Sequence, residues 1–518
     1  MLRAMSANLA DAIAAWREAI GAEHVVDDPA ALARTAATTF DAPAPVVWLR
    51  PADRDQVAAC LRIATAHGIA VHPISRGRNV GYGSRAPVAA GMALLELARL
   101  DRIVDFDERL AYVTVEPGVT FRQLADFLRT CRARVFASVT GGPADASVLA
   151  NALERGDGSG PLTDRFAHVC NLEVVLATGE RLETGYGRFP GATVAPLGRW
   201  GAGPALDGLF SQSALGVVTR ATIWLAPYPA HLEAVWYAID DAARLPALVE
   251  ALRQLKLTGV VRTTTSLWND HKLLAVFGGY PWDDTGGVTP LPDDVRATLR
   301  RRAGIGEWSG TLALYGASER HGRALREVVE ETLAPIVTTL RFERGPAEPL
   351  DEPERCGPTL GVPHDTNLAT AYWRKRARPA PPLDPDRDRC GMLWLSHAVP
   401  FAGDHAREVV ALVEAEARAG GLEPALALLG VAERILYGIV TLAFDRDVDD
   451  EEARARACHD RLFARLCARG YPPFRSGVQS QALAPASDPA YQRVLDALAG
   501  ALDPAGVLSV RTPFTPRR

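Results

Sequence analysis

The sequence predicts a chain of mixed helices and strands folded into two or more domains, and three observations support this. Residues 46–83 read as strand, helix, strand and glycine-rich loop in immediate succession. Two short apolar runs at 172–177 and 181–184, joined by Thr178-Gly179, read as a hairpin. From about Ala230 the glycine loops cease and helical and extended segments alternate, as a second domain would. A chain of 518 residues is long enough for more than one sizeable core.

Residues 7–40 are expected to be helical, with Leu9, Ile13, Trp16 and Ile20 at spacings of three and four. A short strand follows at 46–49. The next helix opens at Ala52-Asp53, carries Val57, Cys60, Leu61 and Ala64 on one face, and stops at Gly68. Residues 69–73 form the second strand, and the loop with Gly77, Gly81 and Gly83 follows it directly. Glycines let a backbone turn tightly and approach a ligand. Consecutive N–H groups flanked by Arg76, Arg78 and Arg85 make an anion nest suited to a diphosphate. A surface turn with solvated arginines is an equal reading of composition alone. No G-x-G-x-x-G follows a strand, and this loop follows the second strand, so a Rossmann nicotinamide site lacks support.

Strands are expected at 90–96, 103–107 and 112–116, then a helix over 120–131 with Phe121, Leu124, Phe127 and Leu128 on one side. A second glycine-rich tract spans 140–150 and runs into Asn151-Ala-Leu-Glu-Arg-Gly156 and an irregular stretch at 157–164. In the second domain, residues 376–389 (RARPAPPLDPDRDR) read as an exposed loop or linker. Helices at 405–419 and 450–469 flank a strand at 435–444, and 485–518 form a helix and a proline-containing tail.

Composition narrows the function classes. The formal net charge of −5 argues against a nucleic-acid binder, which needs a basic footprint. Seven scattered cysteines without a C-x-x-C pair argue against a disulfide scaffold or zinc ribbon and for a reducing compartment; no metal site is expected. Residues 2–20 carry Asp11 and Glu18 within an amphipathic pattern and read as neither signal peptide nor membrane span. A cytoplasmic location is expected.

Eight segments resemble, in order and over nearly the whole chain, the vanillyl-alcohol oxidase and p-cresol methylhydroxylase family of FAD enzymes. They are ISRGRNVGYG at 74–83, NALERGDG at 151–158, DRFAHVCNLEVVLATGE at 164–180, RWGAGPALDGLFSQSALGVVTRATIWLAP at 199–227, Leu393-Trp394, FDRDVDDEEARA at 444–455, GYPPFR at 470–475 and LDPAGVL at 502–508. The resemblance implies an α+β fold with a PCMH-type FAD-binding domain at 1–228. A substrate, or cap, domain would span 229–480, and 481–518 would return to the FAD domain. It implies cofactor contacts from Ser75, Arg76, Gly77, Arg78, Asn79, Gly81 and Gly83. Pro143, Ser147, Asn151, Arg155, Gly156, Glu173, Gly216 and Val218 would add to them. A helix cap and a salt bridge are the structural alternatives for Asn151 and Arg155.

The same resemblance implies hydride transfer from an aromatic, phenolic or benzylic substrate to flavin N5. Tyr82 and Arg475 match residues that hold the substrate as phenolate, and Asp164 matches a base near N5. The structural alternatives are a surface arginine and an acidic cap. Four positions depart from the pattern. Phe474 replaces a second tyrosine, and Arg165 replaces a histidine and would lower the Asp164 pKa if the two paired. Met392 occupies the usual covalent-link position, and His397 stands where a proline is usual. Phe474 and Met392 are therefore expected in the substrate pocket, and His397 either joins them as an acid or base or is a core or surface histidine; FAD is expected to be bound non-covalently. Dioxygen or an electron-transfer protein would take the electrons, and a homodimer or larger assembly is implied. The alternative is a tailoring oxidase of the same fold acting on a non-phenolic substrate, with Arg475 holding a carboxylate. A flavin-binding module without turnover is a third reading.

Overall fold

The computed structural model describes residues 2–346, 348–352 and 355–508; the last ten residues of the expected tail, 509–518, lie outside them. The opening helix is Leu2–Ile20 and ends well before residue 40. Gly21, at φ +90°, turns the chain there. Val25–Val26 then pairs with Val47–Leu49, and a separate helix, Pro29–Thr35, starts where the Asp28 carboxylate accepts the Ala31 N–H. Helical spacing runs through this stretch, but the glycine and the Asp-Pro cap interrupt it. The helix Arg54–His67 follows its caps: Asp53 accepts the N–H groups of Asp55 and Gln56, and Gly68 closes it in the left-handed conformation.

Two larger sheets and a two-stranded pair, Val135–Phe136 with Ala226–Pro227, build the N-terminal part. In the four-stranded sheet, Val47–Leu49, Ala93–Glu96 and Val71–Ile74 are parallel and Val25–Val26 is antiparallel at the edge. The five-stranded sheet runs Ile103–Asp107, Tyr112–Val115, Val217–Trp224, Val169–Val175 and Arg181–Glu183, all antiparallel. Chain from the far end closes the first sheet: the Val71 N–H donates to the Val507 carbonyl at 2.8 Å, and Val507 and Leu508 share a core with Trp16, Leu61 and Leu95.

The second part is one eight-stranded antiparallel sheet. Its order is Thr339–Arg344, His231–Ile239, Trp308–Gly316, Thr265–Asn269, Ala425–Gly430, Ile435–Asp445, Cys390–Pro400 and Pro473–Arg475. Leu245–Leu257, Gly403–Ala419 and Glu451–Ala468 cover one face with an apolar core that includes Leu393, Leu395, Leu428, Val440 and Leu462. Side chains alternate along a strand. Met392, Trp394 and Ser396 therefore project from the opposite face, and that face meets the glycine loop.

Residues 376–389 are not a free linker. Asp384 pairs with Arg78 of the glycine loop at 3.0 Å, and the Tyr372 hydroxyl donates to Asp388 at 2.5 Å. Asp386 is buried, and burial pushes its carboxyl up to about 6 against the pull of the adjoining Ser84 hydroxyl. Charges that read as solvated are instead paired across the fold. Among the described residues no helix is long and apolar enough to cross a membrane, and no cluster of side chains suits a metal ion.

Candidate active site

The glycine loop leaves the strand Val71–Ile74 and is bound by three hydrogen bonds to Trp394 of the second sheet and to Val478 and Gln479, just past that sheet's edge strand Pro473–Arg475. The Gly81 carbonyl accepts from the Trp394 N–H (3.3 Å) and from Gln479 Nε2 (3.3 Å), and the Tyr82 carbonyl accepts from the Val478 N–H (3.0 Å). Gly77, Gly81 and Gly83 all have positive φ, at 60°, 80° and 123°. Gly81 is required twice over, since a Cβ there would overlap the Trp394 ring.

Among the described residues the main-chain N–H groups of Gly77, Arg78 and Asn79 have no acceptor. The flanking arginines are committed elsewhere: Arg76 to the Ala98 carbonyl, Arg78 to Asp384 and Arg85 to Glu96. The nest is thus built from backbone dipoles rather than guanidinium charge.

Tyr82 links loop and sheet. Its hydroxyl shares a hydrogen bond with the Ser396 hydroxyl, and its ring stacks on Trp394 at 6.0 Å. The Arg475 guanidinium lies 4.4 Å from the centre of the Tyr82 ring and donates through Nη2 to Asn79 Oδ1 at 2.8 Å. Its Nε is buried without a hydrogen-bond acceptor among the described residues, with Glu154 Oε2 at 3.9 Å. Burial raises the Tyr82 pKa, opposed by the Arg475 charge and the Ser396 bond, so the hydroxyl stays a donor. Phe474 stacks on Tyr437 at 3.8 Å with the rings 9° apart.

The two expected acidic and basic groups separate. Asp164 is exposed and caps the turn Phe166–His168 by accepting the Ala167 N–H at 3.0 Å. Arg165 does not pair with it. Arg165 is buried over the Phe121 ring (4.6 Å) and donates to the carbonyls of Ser138 and Val148; burial pulls its guanidinium down to about 10. The charges of Arg475 and Arg165 act on Asp157 instead. Burial raises its carboxyl pKa, and its own backbone N–H, Arg475 and Arg165 pull the other way. Asp157 and Asp164 are partners in an isolated antiparallel bridge, and both charges act on the Tyr437 hydroxyl.

Three further expected residues lie apart. His397 is on the helix side of the sheet, edge-on to Phe463 at 5.1 Å, because it neighbours Ser396 on one strand and points the other way. Glu173 is occupied by Arg54, Arg220 and the Thr219 hydroxyl. Ser147 caps the helix Val148–Leu153 and donates to the Pro117 carbonyl at 2.6 Å.

The others support the loops. The Asn151 amide packs against Gly156 and leaves Oδ1 buried without a partner among the described residues. Arg155 is exposed and donates to Ser211, while Pro143 and Val218 are buried. At Gly216 a Cβ would press on Val174. Met392 is buried with Ala371 and Tyr372 beside Val80. Sequence reading missed Asp157 and Tyr437; the only signal for Asp157 was a second carboxylate within NALERGDG.

Known proteins match this chain in sequence and fold. An FAD binding domain model matches residues 45–185. The chain is 45% identical over 521 residues to 1'-carboxy-chondrochloren decarboxylase from Chondromyces crocatus, covering 96% of each chain. The chain belongs to the vanillyl-alcohol oxidase and p-cresol methylhydroxylase family. It is an FAD-dependent oxidoreductase. Within the family it is 28% identical over 463 residues to the 4-cresol dehydrogenase [hydroxylating] flavoprotein subunit of Pseudomonas putida, covering 88% of this chain and 85% of that one. The structure of p-cresol methylhydroxylase with substrate bound superposes with a TM-score of 0.90 at 25% identity, over 98% and 97% of the two chains. The 4-ethylphenol oxidase of Gulosibacter chungangensis has the same fold, with a TM-score of 0.87.

The residues present fit the cofactor. Three unsatisfied N–H groups in the glycine loop and the orphaned Asn151 Oδ1, Gln479 Oε1 and Trp394 Nε1 are polar groups that a bound ligand would satisfy.

Proposed function

We propose that this enzyme oxidises a para-substituted phenol at its benzylic carbon, holding the substrate as phenolate with Tyr82 and Arg475. The observation that supports it is the Arg475 guanidinium over the Tyr82 ring with its Nε left over. A cation and a protonated hydroxyl in a desolvated pocket favour an oxyanion. Tyr437, stacked on Phe474, offers a further hydroxyl beside the tyrosine that the chain lacks. Likeness to a 4-cresol dehydrogenase favours the phenol over a non-phenolic substrate.

FAD, when bound, would supply the two-electron acceptor for the benzylic hydride. The backbone of 77–79 would hold its diphosphate. In this reading Asp157 or Asp164, whose charges both act on the Tyr437 hydroxyl, would accept the proton. Mixing the holoenzyme with 4-ethylphenol without oxygen is expected to bleach the flavin absorbance. No bleaching with any 4-alkylphenol or 4-hydroxybenzyl alcohol would refute the reading. Dioxygen or an electron-transfer protein then takes the electrons. Seven scattered cysteines without a C-x-x-C pair support a reducing, cytoplasmic setting.

A second reading draws on the 45%-identical decarboxylase. Removing hydride from a phenolate leaves a neutral quinone methide. A carboxylate on the adjacent carbon can then depart as CO₂, its bond pair forming a C=C bond while the ring returns to phenolate. The same residues serve both reactions, and CO₂ release from a carboxylated phenol separates them.

The flavin is held without a covalent link in this reading. Met392 fills the linking position, and the nearby Tyr372 hydroxyl is bonded to Asp388. Acid precipitation is expected to leave the flavin in the supernatant; yellow pelleted protein contradicts it.

A further inference from the structure

Lys272 is a buried ammonium to which the fold gives no counter-charge. It sits in the helix Asp270–Phe277 and is only 7% exposed. Its Nζ donates to Thr441 Oγ1 at 2.9 Å and lies 4.5 Å above the Trp394 ring. The charged neighbours on its helix and the packed helix Asp293–Ala303 face one another: Asp270 lies near Arg296 and Arg300, and His271 contacts Arg296. No carboxylate among the described residues pairs with Lys272. Burial pulls its pKa down to about 7, which is the physical signature of an ammonium short of a partner.

A structural role does not explain this charge. A buried cation without an anion is costly, and a Met or Leu would fill a similar volume without the charge. The surroundings point to a ligand. Thr441 and Trp394 are cross-strand partners on the face of the sheet that carries Ser396, the hydroxyl bonded to Tyr82. Arg475 lies over Tyr82, Lys272 lies over Trp394, and the two rings stack. The site thus has two cations, one at each ring of a single aromatic stack.

We propose that Lys272 is a second anion-binding residue of the substrate site, taking a carboxylate carried on the side chain of a phenolic substrate. This rests on the phenol-oxidising reading, in which Arg475 and Tyr82 hold the other end. A substrate with both groups would lie along the Tyr82–Trp394 stack and meet a cation at each end.

The test uses holoenzyme and two probes of one shape, 3-(4-hydroxyphenyl)propanoate and its primary amide. Their dissociation constants are read from the perturbed flavin spectrum. Lys272→Met is expected to weaken the acid about 10- to 100-fold, the range for losing a hydrogen bond to a charged group, and to leave the amide unchanged. Lys272→Gln, which keeps a polar tip, serves if the methionine variant fails to fold. Equal weakening of acid and amide would make Lys272 a packing residue and overturn the proposal, as would acid binding indifferent to either substitution. Failure of the wild type to prefer the acid over the amide would also overturn it. The phenol reading is judged separately by 4-ethylphenol. Bleaching there with no Lys272 effect removes only the second site, and a Lys272-dependent acid preference without bleaching removes only the phenol.

Discussion

Arg475→Met is expected to lower kcat/KM for a para-alkylphenol by about 10²- to 10³-fold, the range for removing one donor from an oxyanion site. The guanidinium is the group that connects the site: it lies over Tyr82, donates to Asn79 and acts on Asp157. Its positive charge pulls the pKa values of both Tyr82 and Asp157 down against burial. Removing it lets burial raise both further. The limb of the kcat/KM profile that belongs to Asp157 should then move to higher pH. Arg475→Lys keeps the charge but not the planar fork and should recover part of the loss. Rates measured across pH with flavin content as control decide the matter. An unchanged rate with an unchanged profile would remove Arg475 from the chemistry.

Gly81→Ala is expected to cost about 2–4 kcal/mol, combining left-handed strain with overpacking. The added methyl would meet the Trp394 ring and approach the Met392 methyl at 3.1 Å. The Gly81 carbonyl holds both Trp394 and Gln479, so the displacement passes to Tyr82 next to it. The variant should melt at lower temperature and purify with less FAD. Gly91→Ala is the control, since Gly91 has φ +85° but open space where its Cβ would be. Equal flavin loss in the two variants would show that strain alone, not the Trp394 contact, governs the loop.

Local chemistry was legible in the sequence where one residue decides a conformation. Asp53 and Gly68 bound a helix as their cap chemistry requires, and the glycines of the loop take positive φ. The expected neighbours of the site were less legible, because they depend on pairing between distant segments. Ser396 and His397 are adjacent in sequence, yet one meets Tyr82 and the other Phe463. Likewise Asp164 and Arg165 are consecutive and turn to opposite environments, while Asp157, seven residues before Asp164, is the carboxylate on which the Arg475 charge acts. Charge-rich 376–389 looked solvated because a partner such as Arg78 lies some three hundred residues away in the chain. Lys272 gave no signal, since a lysine on a helix is ordinarily a surface residue.

The three hydrogen bonds that tie the glycine loop to Trp394 and to the turn after the edge strand have a thermodynamic consequence. They join the proposed cofactor cradle and one wall of the proposed substrate pocket into a single mechanical body. A ligand that stiffens this junction from the pocket side lowers the entropy left to lose on the nucleotide side. Linkage makes the gain reciprocal: a pocket ligand that slows flavin loss must itself bind the flavin-loaded protein more tightly, by the same equilibrium factor. Flavin retention during dilution, with and without a phenol, therefore reports on the substrate pocket without any turnover.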